Sequence, residues 1–66
     1  MEIVLNGEKQ TVPPGCTIAQ LLETLRLQEK RLAVEVNVAV VPRSEHRRYQ
    51  LQPGDRVEIV QAIGGG

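Results

Sequence analysis

The chain ends Ile63-Gly64-Gly65-Gly66, directly after the apolar, alternating run Glu58-Ile59-Val60-Gln61-Ala62. Glycine loses more conformational freedom on ordering than any other residue, so three in succession cannot be there to hold a fold. Two readings follow. The glycines are an inert, frayed end, or the terminus itself is the working part and the carboxylate of Gly66 is its reactive group. Few other groups could do chemistry. Cys16 is the single cysteine and His46 the single histidine, so nothing completes a metal site and none is expected. Cys16 stands just before Thr17 and can pack on Leu21 as a hydrophobic staple, which makes it a structural residue rather than a reactive thiol. His46 lies in a polar loop and is expected to serve at the surface or in packing. Asp55, after Pro53-Gly54, is expected to be a hydrogen-bonding turn residue. Arg43, Arg47 and Arg48 form the one basic cluster, interrupted by Glu45. They read as a solvated loop, with an acidic partner surface as the alternative.

The bulk composition limits what can carry that terminus. Sixty-six residues make one small domain, and a domain of that size buries only roughly 60% of the surface its unfolded chain exposes. Hydrophobic residues make up 41%, too many for a disordered chain. There is no Trp, no Phe and one Tyr, Tyr49, so the core must be aliphatic. With one cysteine no internal disulfide can form, and with no signal peptide read at the start a reducing cytoplasm is the expected location. No apolar run approaches the ~20 residues of a membrane helix, so no membrane association is expected. Eight Lys+Arg balance eight Asp+Glu. Strong nucleic-acid binders show a clear basic excess, so that class is set aside.

The elements that position the terminus follow from periodicity. Met1, Ile3 and Leu5 alternate with Glu2 and Val4, the pattern of a half-buried strand. Asn6-Gly7 is the strongest short hairpin signal, and Glu8 to Val12 returns as a second strand. Pro13-Pro14-Gly15 ends it. Thr17 and Gln20 make a capping box. Ile18, Leu21, Leu22 and Leu25 then follow the i, i+3, i+4, i+7 spacing of one buried helical face. Leu32, Val34 and Val36 alternate in a third strand, and Val38 to Val41 form a short one closed by Pro42, which suits an edge. Residues 43–48 are a polar loop with room for one helical turn. Pro53-Gly54 is the central pair of a type II turn. Arg56 to Ile63 is the last strand, with Val57, Ile59, Gln61 and Ile63 on one face.

One helix with one apolar face needs one sheet to cover. The expected architecture is therefore an α+β roll, a mixed four- to five-stranded sheet crossed by one main helix. Its first and last strands should be central and parallel. Residues 1–62 form the domain and 63–66 a flexible, glycine-rich tail. Val60 and Ala62, with Val4 on the first strand, should face away from the helix and make a small apolar patch beside the tail root, a candidate docking site.

The blocks Val36 to Arg43 (VNVAVVPR) and Leu51 to Val60 (LQPGDRVEIV), with the ending AIGGG, resemble those of the small sulfur carrier proteins of thiamine thiazole synthesis, a ubiquitin-like β-grasp family. The resemblance covers nearly the whole chain. One departure is His46, where it implies a tryptophan. It implies that the carboxylate of Gly66 is adenylated by an E1-like, ATP-dependent partner enzyme. Sulfur from a persulfide donor then replaces one carboxylate oxygen, and the thiocarboxylate serves a thiazole synthase. The carrier would bind no cofactor itself, ATP with magnesium being used by the partner, and would be a monomer when free and no enzyme. The glycines then make sense. Gly64, Gly65 and Gly66, led by Ala62 and Ile63, would thread a narrow channel, and a carbonyl with no neighbouring Cβ is open to attack. Positioning and charge stabilisation would come from the partner. Two alternatives stay open: the small subunit of molybdopterin synthase, with the same tail chemistry, and a β-grasp modifier or interaction domain that carries no sulfur.

Overall fold

A computed structural model describes residues 1–28 and 31–61. Strand β1 (Glu2–Leu5) and strand β2 (Glu8–Thr11) form an antiparallel hairpin in the register Glu2↔Thr11 to Leu5↔Glu8. Asn6 (φ 49°) and Gly7 (φ 84°) sit at the turn, the paired positive angles that make Asn-Gly the preferred sequence there. Helix α1 is Ile18–Thr24. Strands β3 (Leu32–Val36) and β4 (Ala39–Val41) make a second antiparallel hairpin, followed by a 3-10 turn, Arg43–Glu45, and by β5 (Arg56–Gln61). The sheet order is β2-β1-β5-β3-β4. β1 and β5 are parallel neighbours inside the sheet, and β4 is an edge strand, as the sequence implied. The result is the expected α+β roll, with five strands.

The core is aliphatic. Ile3, Ile18, Leu21, Val34, Val36, Leu51 and Val57 are each under 2% exposed or close to it, and they form one cluster with Val12, Cys16, Leu22 and Val41. The helix supplies Ile18, Leu21 and Leu22 to that cluster and the sheet supplies Ile3, Val34, Val36 and Val57. Each such side chain contributes about 1.5–3 kcal/mol on leaving water. Leu25, expected on the buried face, is half-buried at the helix C-cap.

The helix is shorter than its apolar spacing suggests, and its C-terminal end shows why. The Arg26 N–H donates to Glu23 O and the Leu27 N–H to Leu22 O. This is a Schellman closure, with Arg26 at φ 60° where glycine is usual. At the other end every free N–H of the first turn has a partner. Ile18 N–H donates to Tyr49 O, Ala19 N–H to His46 O, and Gln20 N–H to the Thr17 hydroxyl at 3.1 Å. The Gln20 side chain accepts from Thr17 N–H, completing the capping box. The 43–50 segment is therefore a helix cap as well as a connection.

Candidate functional site

The root of the tail is β5. One edge of this strand is held by β3 along its whole length, in the register Val36↔Val57, Glu35↔Glu58, Val34↔Ile59, Ala33↔Val60 and Leu32↔Gln61. On its other edge β1 pairs only as far as Leu5↔Val57. Val4 N–H donates to Asp55 O and Asn6 N–H to Val57 O, and the Asn6 side-chain oxygen then accepts from Ile59 N–H at 2.9 Å. A side chain thus extends the ladder by one step where the strand β1 has ended. β5 is thus paired as far as its last described residue, Gln61. Ala62, Ile63, Gly64, Gly65 and Gly66 lie outside the described residues, as does the expected boundary between domain and tail.

The start of β5 is equally well fixed. Gly54 (φ 82°) follows Pro53, and Asp55 N–H donates to Gln52 O, the bond expected of a type II turn. The Asp55 carboxylate, 9% exposed, accepts from Gln52 N–H at 2.8 Å and from Asn37 Nδ2 at 3.0 Å. The Asn37 side-chain oxygen in turn accepts from Arg56 N–H at 3.0 Å. Asp55 is thus a turn residue, as expected, and also a clamp onto the β3–β4 turn eighteen positions earlier.

The outer face of the sheet decides how the candidate docking residues stand to one another. Val60 is 55% exposed and lies opposite Ala33, itself exposed. Val4 shares that face, but the register sets it between Lys9 and Arg56. Arg56 is four residues before Val60, about 13 Å along the strand. Val4 is half-buried and lines a hollow of about 330 Å3 with Gly7, Arg56 and Glu58. Val4 and Val60 are therefore on one face without making one continuous apolar patch. The apolar residue beside Val60 on the same face is Ala33; Val40, 67% exposed, also stands on that face, on β4 opposite Glu35, with β3 between it and β5. Reading the strands singly missed Ala33 and Val40. The alternation in residues 38–41 was the available signal, since Val41 faces in and Val40 must then face out.

The remaining candidates resolve as structure. Cys16 is 5% exposed and within the core cluster, and burial pushes its thiol above the ordinary value of 9.0. Such a group stays protonated near neutrality and is a poor nucleophile. His46 is 6% exposed. Its Nε2 lies 3.0 Å from Val41 O, and because a carbonyl only accepts, Nε2 carries the proton and donates. Where the resemblance implied a tryptophan, a buried, hydrogen-bonded ring stands. Arg48 pairs with Glu45 at 3.4 Å across one exposed turn. Among the described residues no group of three His, Cys, Asp or Glu side chains could hold a metal ion. No helix among them is long and apolar enough to cross a membrane.

Comparison with known proteins follows the same outline. The ThiS family model matches residues 2–66. The chain is 32% identical over 66 residues to the sulfur carrier protein ThiS of Escherichia coli, covering all of both chains. It is 38% identical over 66 residues to a thiazole synthase of Paramagnetospirillum magneticum, of which it spans 20%. Its fold superposes on the crystal structure of the thiamine biosynthesis protein ThiS from Geobacter metallireducens with a TM-score of 0.86, at 30% identity and with both chains fully covered.

Proposed function

The chain belongs to the ThiS family of sulfur carriers of thiamine biosynthesis, and from that premise we propose that the carboxylate of Gly66 is the atom group that carries the sulfur. The observation that supports this best is the anchoring of β5. Pairing with β3 holds the strand to Gln61, and five residues follow it. Fully extended, five residues reach at most about 18 Å. That suffices for the terminus to enter a buried nucleotide site while the domain stays outside, and the three glycines offer no side chain to obstruct the passage.

The chemistry asks little of the carrier. A Gly66 carboxylate oxygen attacks the α-phosphorus of ATP on an E1-like partner, and pyrophosphate leaves. The terminal sulfur of a persulfide then attacks the acyl carbon, and AMP leaves. A thiol cleaves the resulting S–S bond, is itself oxidised to a disulfide, and frees the thiocarboxylate. The partner orients these groups and stabilises the developing charge. The carrier is a co-substrate rather than an enzyme, binds no cofactor, and acts as a monomer in the cytoplasm. Its core-buried thiol is not a competing sulfur site. Thiazole synthase is the expected recipient, because a chain like this one makes up 20% of a protein bearing that name. Two such units in one polypeptide are two that meet.

Deleting Gly66 tests the reading. The truncated chain should melt at the parent temperature, since a glycine has no side chain to bury and loses the most conformational freedom on ordering. It should support no exchange of pyrophosphate into ATP by the cognate adenylating enzyme. Exchange at the parent rate would assign the reactive carboxylate elsewhere.

A further inference from the structure

Between α1 and the turn that follows β4 lies a cavity of about 180 Å3, lined by Ala19, Leu22, Gln28, Arg43, His46 and Arg47. It is too small for a nucleotide and large enough for the end of a side chain. Its chemistry is one-sided. Arg43 and Arg47 bring two guanidinium groups, and neither is within ion-pair distance of a carboxylate among the described residues, whereas the third arginine of the cluster, Arg48, is already paired with Glu45. His46 forms part of the wall. Its Nε2–H is spent on Val41 O. Ala19 and Leu22 form an apolar side to the cavity, and they strengthen an ionic contact made there by excluding water.

The topology puts this cavity at the working end of the molecule. β4 runs antiparallel to β3, with Val36↔Ala39 at its start and Val34↔Val41 at its end. β4 ends at Val41, level through Val34 with Ile59, two residues before the last described residue of β5, and the 3-10 turn Arg43–Glu45 leaves the sheet at that end. Two strand spacings, about 10 Å, separate the end of β4 from β5. A protein that takes the end of β5 therefore meets the end of the sheet where this cavity lies.

We propose that the Arg43–His46–Arg47 cavity is a socket for an aspartate or glutamate side chain of the adenylating enzyme that receives the tail, an inference that rests on the function proposed above. Two arginines lining one small space can meet a carboxylate in fork-to-fork geometry, with a direction that lysines would not give. Neither arginine belongs to the core, and the tail chemistry uses neither, so their role would be in binding and orientation. The site is a docking element and touches no reacting atom.

The test uses the full-length chain and its cognate adenylating enzyme in pyrophosphate exchange. The parent chain is measured first: if it supports no exchange, the carrier reading fails and the socket with it. Given exchange, the double variant R43Q/R47Q should raise the KM for the carrier about tenfold with kcat unchanged. R48Q should leave both unchanged, because Arg48 does not line the cavity. Circular dichroism should show both variants folded. A double variant with the parent KM, or an R48Q variant impaired as much, overturns the socket while leaving the carrier reading intact. The occupant is identified with R43K and R47K: a zero-length carbodiimide should join the introduced amine to an aspartate or glutamate of the enzyme. A raised KM without such a cross-link would overturn the assignment of a carboxylate.

Discussion

At the residue scale, the molecule separates groups that could react from the one expected to. Cys16 could in principle carry sulfur, yet it is 5% exposed and packs in the core beside the helix start. Burial raises its pKa above 9.0. The sign of the linked effect follows: the neutral thiol's packing is fully present below that value and is lost as the pH rises through the raised one. Native protein at neutral pH should therefore react with an aromatic disulfide reagent at least tenfold more slowly than denatured protein. Equal rates would show the thiol to be accessible. The burial of Cys16 was legible, because a small apolar residue just before a cap is a staple. The placement of His46 was not: its partner, Val41 O, is a backbone atom five positions away, and no side-chain pattern records it. Nor was Val38 legible. A β-branched residue at φ 74° in the Asn37-Val38 turn, 89% exposed, breaks the preference for glycine there.

At the scale of the element, short signals with local mechanisms carried over well. The Asn6-Gly7 turn, the Thr17–Gln20 capping box and the Pro53-Gly54 turn are all present as read. What sequence reasoning missed is a helix end without its usual residue. The helix stops at Thr24 although Leu25 and Leu27 continue its apolar character, because Arg26 adopts a left-handed conformation without being glycine. A helix of seven residues has too few internal bonds to stand alone, so its caps matter. Thr17→Ala removes the hydroxyl that accepts from Gln20 N–H and should cost about 1 kcal/mol. Thermal melting should register it as a fall of roughly 4–8 °C. An unchanged melting temperature would show that the bonds donated by Ile18 and Ala19 N–H to the Tyr49 and His46 carbonyls hold the helix start by themselves. The outer-face register gives a second expectation. Val60→Asp places a charge on an exposed position beside Ala33. It should leave the melting temperature within a few degrees and weaken binding to the adenylating enzyme at least fivefold, read by calorimetry. Unfolding would show that Val60 is needed for the core; unchanged binding would show that this face is ordinary surface.

At the scale of the whole molecule, the sheet fixes β5 from its start to its last described residue. Strand β5 is gripped at its start by Asp55 and Asn37, along one edge by β3, and on the other by β1 and Asn6. The order of elements made this architecture legible, since one amphipathic helix must cover one sheet and parallel β1 and β5 need a long crossover between them. The outer face was legible only in part, because which exposed residues adjoin depends on register across strands. The central claim, that Gly66 carries the sulfur, is tested most directly by intact-mass and fragment mass spectrometry. The protein is incubated with its adenylating enzyme, ATP, a persulfide donor and a thiol. The account predicts the mass change of one oxygen-for-sulfur exchange, localised to Gly66 and undiminished in a Cys16→Ser variant. An unchanged mass with an enzyme that makes the adenylate, sulfur found on Cys16, or an isopeptide bond from Gly66 to a lysine of another protein would contradict it.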